Sequence, residues 1–373
     1  MTNSLFEPLQ LRGTTLTNRL VVSPMCQYSA EEGVANDWHF ANLARFALGG
    51  FGAVFVEATA VSPEGRITHG DLGLWNDDQI APLQRIAGFL KDNGAVPAIQ
   101  LGPAGRRAAA QRPWEGDGPL TDADAAARGE GPWPVIAASA IPHRDGWQTP
   151  HAMTKDDLEV MRGQWRRATE RALQAGFEIV EVHAAHGFLL NSFLSPLANL
   201  RNDDHGGDFD SRLRFPLEIV SIVREIWPAD RPVFVRLSAT DWAEGGWNGD
   251  DTVEFARRLK RLGVDVVDCS SGGVAYPKPP LAADYQTQFA SRVHRETDMA
   301  AMAVGLIDDP KAAAALIAEG HADLVALARE ALNDPNWPLH ARAALGADPL
   351  DFDLWPVQAG HWLRNRARAR LAQ

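Results

Sequence analysis

The sequence is sparing with the residues that mark several functional classes. In 373 residues there are two cysteines, Cys26 and Cys269, and three tyrosines, Tyr28, Tyr276 and Tyr285. Two cysteines cannot staple a chain of this length, and neither stands in a CxxC or Cys/His spacing suited to zinc, so no metal is expected. That usage points to a reducing compartment, the cytoplasm. No apolar run approaches the roughly 20 residues needed to span a bilayer. The opening MTNSLFEPLQL lacks a basic stretch leading into an apolar one, so no secretory leader is expected. Basic residues cluster only at Arg364, Arg366, Arg368 and Arg370, read as a solvated helical tail. A formal net charge of −12 repels nucleic acid and anionic membrane and leaves small molecules or proteins as partners. Neither GxGxxG after the first strand nor GxxxxGKS/T occurs, which removes the main support for an open nucleotide-binding sheet.

What is present is a regular alternation of short β-branched runs and amphipathic stretches. Eight near-continuous apolar runs read as strands buried on both faces: 20–23, 53–58, 96–101, 178–183, 233–238, 264–270, 299–304 and 322–328. Helical patterns lie between them, as at 155–175 and 250–263. Thr154 and the pair Asp210-Ser211 read as N-caps, and Gly94, Gly176, Gly263 and Gly320 as C-terminal stops. Strict βα alternation with eight strands predicts one α/β domain over 1–373, a (β/α)₈ (TIM) barrel. One connection is abnormal. After the third strand, about 105–150 is rich in Gly, Pro, Ala and Asp, and is expected to form a rim or lid segment.

In such a barrel, functional groups belong just after the strands, at their carboxyl ends. Reading those positions collects Cys26, Tyr28, Ala58, Gln100, His183, His186, Arg236, Ser270 to Gly273, Gly305 and Arg329. Neutral amides, imidazoles and two arginines at one mouth suit a planar heterocycle carrying a phosphate; two histidines without an acidic or sulfur partner make a poor metal site. The most specific run is EVHAAHGFLLNSFLSP, Glu181 to Pro196. Its His-x-x-His leaves a strand for a turn, where two imidazole N–H groups can hold one anionic oxygen.

Many motifs in consistent order carry a resemblance across nearly the whole chain. They include LTNRLVVSPMCQYS (Leu16 to Ser29), NDWH (Asn36 to His39), VEATAVSPEGRIT (Val56 to Thr68), QLGPAGRRA (Gln100 to Ala108) and DPNWPLHA (Asp334 to Ala341). The sequence resembles the Old Yellow Enzyme family of FMN-dependent ene reductases, nearest to its xenobiotic reductase and thermophilic-like subgroup. The resemblance implies FMN across the barrel mouth, its pyrimidine edge on Gln100 and Arg236. Pro24, Met25, Cys26 and Ala58 would line the ring system, with the phosphate on backbone N–H groups at Gly273 and Gly305 and on Arg329. It implies a ping-pong cycle, with NADPH or NADH as reductant and an electrophilic alkene as acceptor, the acceptor oxygen held by His183 and His186. Basic Arg106, Arg107 and Arg112 tilt the choice toward NADPH. Cys26 would modulate the cofactor, Tyr28 would stand on the substrate side, and Cys269 would be core. The resemblance further implies a homodimer or higher even-numbered assembly, with Trp362 and Arg364 reaching a neighbouring active site.

Two positions depart from the family. Phe188 stands where a proton-donating tyrosine is usual, and Pro103 where histidine is usual. Three outcomes follow: an ene reductase protonating through water or another tyrosine, a reductase of nitro compounds, nitrate esters or quinones, or a flavin-binding protein of low turnover.

Overall fold

The computed structural model describes residues 4–275, 279, 282 and 285–372. Eight parallel strands close a barrel: β1 Leu20–Val22, β2 Ala53–Thr59, β3 Val96–Leu101, β4 Ile179–Ala184, β5 Val233–Ser238, β6 Val266–Ser270, β7 Ala300–Val304 and β8 Leu324–Leu327. Each pairs with its chain neighbour, and β8 returns to β1, as Val325 against Leu20. These are the eight runs read from the sequence, with ends shifted by a residue or two. Nearly every strand residue is buried because one face lines the barrel and the other meets the helices.

The two faces make two cores. Inside, Val21, Phe55, Ala98, Ile179, Phe234, Val266, Met302 and Leu324 pack together, with the Phe55 and Phe234 rings 5.9 Å apart. The N-terminal hairpin, Leu9–Leu11 against Thr14–Leu16, adds Leu11 and Leu16 to this cluster and stoppers the amino end of the barrel. Outside, Trp165, Trp227, Phe177, Phe193, Phe215 and Phe255 join a continuous layer between helices and strands. Burying each such side chain contributes about 1.5–3 kcal/mol. With its amino end closed by apolar residues, the barrel interior carries its polar side chains, among them Gln100, Glu181, His183, Arg236 and Asp268, toward its carboxyl end.

Local sequence explains the helix starts. Thr154 caps Lys155–Gln174, its hydroxyl accepting from the Asp157 N–H at 3.2 Å. The helix expected after Asp210-Ser211 begins earlier: Asp208 is the cap, accepting from the Ser211 N–H at 2.8 Å, and the helix runs Phe209–Ile226. Gly94, Gly176, Gly263 and Gly320 all adopt positive φ, as a chain leaving a helix requires.

The segment after β3 is more ordered than its composition suggests. It holds a helix, Asp122–Arg128, and a short parallel pair, Ile136–Ala137 with His151–Ala152. Ion pairs explain a helix among so many small residues: Asp124 pairs with Arg128 at 2.5 Å and caps Thr121 at 2.8 Å. Arg112 bridges Glu130 at 2.6 Å and the Tyr28 carbonyl at 3.0 Å, tying the segment to the loop after β1.

Candidate active site

Strand periodicity builds the floor of the mouth. Residues two apart share a face, so Glu181 and His183 of β4 point the same way, as do Asp268 and Ser270 of β6. Register sets His183 beside Arg236 of β5, and Arg236 beside Asp268. Arg236 donates to Ser23 Oγ at 3.2 Å, and its Nε lies 3.1 Å from Asp268. Gln100 of β3 donates to Glu181 Oε1 at 2.7 Å, which leaves its carbonyl oxygen free. Both Gln100 and Arg236 are therefore held from below.

The two histidines stand above this floor. The Ala185 N–H donates to His183 Nδ1 at 3.2 Å, which places the His183 proton on Nε2. His186 follows the strand at φ 58, a left-handed turn position, and its N–H donates to Ser238 Oγ at 2.9 Å. Its Nε2 contacts Ser270 Oγ at 2.6 Å. The ring centroids are 5.3 Å apart and inclined at 81°, so the pair is edge-to-face rather than parallel. Burial holds both imidazoles well below their usual pKa, and Arg236 and Arg107 push in the same direction. Two neutral imidazoles therefore face the mouth.

Glycine is required beside them. The turn Gly187 packs so closely on the loop after β6 that a Cβ there would lie 2.2 Å from the Gly273 carbonyl oxygen. A Cβ on Gly273, itself at φ 102, would lie 2.3 Å from the His186 carbonyl carbon. Farther round the rim, a cavity of about 480 Å³ is lined by His186, Ser270, Ser271, Gly305, Ala328 and Arg329, among others. Gly305 has φ 119. Gln286 braces that wall, accepting from Ser271 Oγ at 2.7 Å and donating to the Val304 carbonyl at 2.9 Å. Arg329 makes no ion pair among the described residues and opens a short helix, Arg329–Asn333.

These features fit FMN. A planar heterocycle can donate to the free Gln100 carbonyl oxygen and accept from Arg236. A phosphate can occupy the cavity between glycine backbones and an unpaired guanidinium, the location favoured for phosphates after the seventh and eighth strands of such barrels.

The wall toward β1 and β2 carries the remaining residues. Pro24, Met25, Cys26 and Tyr28 occupy a half-buried loop after β1, and Ala58 lies buried near the end of β2. Glu57 anchors this loop by accepting from the Gln27 N–H at 2.5 Å. Its other oxygen is 3.5 Å from His39 Nε2, while His39 Nδ1 accepts from the Asn36 N–H at 3.1 Å. The NDWH run is thus a helix cap that also braces the site. Burial and the carboxylates of Asp71 and Glu57 push the Cys26 thiol well up, so it stays protonated. Cys269 is fully buried in the outer core.

Phe188 is 5% exposed, in an apolar cluster with Ala58, Ala104, Ala108, Ala109 and Val135. Its ring centroid is 4.2 Å from that of His183, with the Arg107 guanidinium 5.7 Å away. Pro103 is buried; its carbonyl accepts from the Leu189 N–H at 3.1 Å and its ring abuts Gly65. Tyr285 lines the same cavity as His186 and Arg329, and Tyr276 lies outside the described residues. Tyr28 stands near Cys26, edge-on to Trp114 at 5.8 Å. Trp362 is 70% exposed on the helix Val357–Leu371, and Arg364 pairs with Asp353 of the same chain at 2.5 Å. Among the described residues no acidic, histidine or cysteine group could hold a metal, and no helix is long and apolar enough to cross a membrane.

The family model described as NADH:flavin oxidoreductase / NADH oxidase matches residues 4–347. The chain belongs to this family. An NADPH dehydrogenase from Geobacillus sp. (strain WCH70) is 42% identical over 348 residues, covering 93% of this chain and 96% of that one. Morphinone reductase is similar in structure, with a TM-score of 0.74 and 26% identity over 92% of this chain and 90% of its own. TcOYE in complex with pHBA gives a TM-score of 0.75 at 22% identity, over 91% of this chain and 93% of its own, a likeness of fold. This flavin oxidoreductase is thus of the Old Yellow Enzyme type, with FMN as cofactor and NAD(P)H as reductant.

Sequence reasoning did not single out Glu181, Asp268, Ser238 or Gln286. The first two lie inside strands and read as ordinary alternation. The signal available for them was charge in otherwise apolar runs, since buried carboxylates are rare without a purpose.

Proposed function

We propose that this flavin oxidoreductase reduces the C=C bond of α,β-unsaturated carbonyl compounds, with reductant and acceptor taking turns in the same mouth. The observation that carries this reading is the neutral histidine pair beside Arg236. When bound, FMN would supply the two-electron redox chemistry between NAD(P)H and the acceptor. Gln100 and Arg236 would hold its pyrimidine edge, and Gly273, Gly305 and Arg329 its phosphate. Pro24, Met25, Cys26 and Ala58 would bound its ring system.

His183 Nε2 and the His186 nitrogen left free by Ser270 receive the acceptor oxygen. Because both rings are neutral, they donate hydrogen bonds to developing negative charge without surrendering a proton outright. Such preorganised donors act most strongly where water is excluded, and both rings are largely buried. Tyr28 supplies a hydroxyl on the substrate side. Phe188 supplies no proton, so protonation of the α-carbon falls to water or Tyr28. The segment 105–150 acts as the rim, but the arginines expected to favour NADPH are engaged within the chain: Arg106 is buried on the Val274 carbonyl, Arg107 donates to the His186 carbonyl, and Arg112 is paired with Glu115 and Glu130. The exposed Trp362 supports an even-numbered homo-oligomer joined through the C-terminal helix.

A second reading takes nitro compounds, nitrate esters or quinones as acceptors. It is favoured by the apolar burial of Phe188, since those acceptors need no proton placed on carbon there. Protein reduced anaerobically with NADPH and then offered 2-cyclohexenone, a nitroarene and a quinone separates the two. Formation of cyclohexanone supports enone reduction. Rapid reoxidation by the other acceptors with no saturated ketone would establish the second reading instead.

A further inference from the structure

Below Arg236 and Gln100 lies a charge imbalance that oxygen binding at the mouth does not use. Glu181 and Asp268 are both 0% exposed inside the barrel. Glu181 Oε2 and both Asp268 oxygens have no hydrogen-bond partner, although one oxygen of each acid is engaged otherwise, by Gln100 and by the Arg236 charge. The groups around them can be named strand by strand. Ser23 follows β1 directly, Gln100 comes from β3, His183 from β4, Arg236 from β5, and Ser270 from β6 beyond Asp268 itself. The remaining strands contribute the apolar Phe55, Met302, Val304 and Ala326 and one further buried acid, Glu57 of β2, which accepts from the Gln27 N–H and lies beside His39. His183 is neutral, so among the described residues Arg236 is the one cation facing Glu181 and Asp268, and full ionisation would leave a net negative charge sealed from water. Burial of an uncompensated ion costs several kcal/mol, so such a group takes a proton instead.

We propose that Glu181 and Asp268 hold one exchangeable proton site between them, and that this site answers the charge carried by the cofactor above. With oxidised FMN in place, the pair is partly ionised and balances Arg236. When NADPH hands over two electrons and one hydrogen nucleus, the cofactor gains one negative charge against Arg236. Arg236 is then shared between that charge and Asp268. The pair responds by taking one proton from solvent, which forms one O–H bond on a carboxylate. When the acceptor removes the electrons, that bond breaks and the proton returns to solvent. Both acids are pushed upward from their usual pKa by burial, Glu181 further by Asp268, which places the exchange nearer neutrality than for ordinary carboxylates. In this role Glu181 and Asp268 are positioning residues, acting on the cofactor through Gln100 and Arg236.

The inference rests on FMN lying at the mouth and is independent of which acceptor is used. The test takes the full-length FMN-loaded protein, reduced anaerobically by NADPH in weakly buffered solution near neutral pH with an indicator dye. Transfer from NADPH brings its own hydrogen, so the cofactor alone draws no proton from solvent if it stays anionic. The expected result is uptake of a substantial fraction of a proton per flavin, largely lost in Glu181→Gln and in Asp268→Asn. A proton bound by the cofactor itself would survive in both variants, so unchanged uptake there overturns the proposal, as does no uptake in the unaltered protein. If a variant fails to take up FMN, infrared spectra of the apoproteins decide. A buried protonated-carboxyl stretch that shifts in deuterium oxide, as an exchangeable proton requires, is expected in the unaltered chain and missing from the variants; its absence from the unaltered chain refutes the idea.

Discussion

Replacing Phe188 by tyrosine adds one hydroxyl at a well-defined place. The ring is 5% exposed and packs 4.2 Å from His183, so the new group enters either the mouth or the apolar cluster of Ala104, Ala108, Ala109 and Val135. In the mouth it becomes an acid beside the oxygen grip, and a positioned acid contributes about 10²–10⁴ in rate, roughly 3–5 kcal/mol of barrier. Arg107, 5.7 Å from the ring centre, favours loss of that proton. In the apolar cluster the hydroxyl is instead unpaired, and costs about 1–3 kcal/mol of stability. The two outcomes separate cleanly in anaerobic stopped-flow. Reduction by NADPH should change little, while reoxidation by 2-cyclohexenone should quicken by about 10² or more. A folded, FMN-loaded Phe188→Tyr protein with unaltered melting and unaltered enone reoxidation would refute the idea that a missing proton donor limits the reaction.

Other expectations follow from the same geometry. Arg329→Met should weaken FMN by about 10- to 100-fold, the worth of a charge-assisted hydrogen bond, yet leave riboflavin binding alone; fluorescence-quench titration compares the two. Gly273→Ala, at φ 102 and against the His186 backbone, should weaken FMN by about tenfold or more in the same titration. The histidine pair should also show in stability. Both native pKa values lie well below 6.5, the value reached on unfolding, so the unfolded chain binds the extra protons as pH falls. Stability from this source is complete above that value and is lost below it, by about 1.4 kcal/mol per pH unit per histidine. Melting of the unaltered chain and of His183→Asn across that range should therefore converge on the acid side. The enone rate itself should show no inflection near 6.5 from these rings.

The barrel was legible because each strand is buried on both faces, and continuous apolar runs are what such strands need. The mouth was legible because barrels place chemistry after their strands, so His183, His186, Arg236 and Arg329 could be read from position. Other parts were not. Asp208 caps its helix two residues before the expected pair, since several acidic and hydroxyl residues there compete for one role. The helix Asp122–Arg128 depends on ion pairs to Asp124 and Arg128 rather than on an apolar stripe, so periodicity did not register it. The edge-to-face set of the histidines depends on Ser270, Ser238 and the Gly273 backbone, brought from distant segments, and no local pattern records that. Glu181 and Asp268 were hidden by alternation, their importance visible only once Arg236 was seen between them.

The oxygen grip is tested most directly by the double variant His183→Ala, His186→Ala, loaded with FMN and reduced anaerobically. Its reoxidation by 2-cyclohexenone should fall by about 10² or more, the cost of removing a positioned oxyanion donor. Reoxidation by ferricyanide, an outer-sphere acceptor that needs no such donor, should stay near that of the unaltered protein. Retention of full enone reoxidation in the double variant would contradict the account.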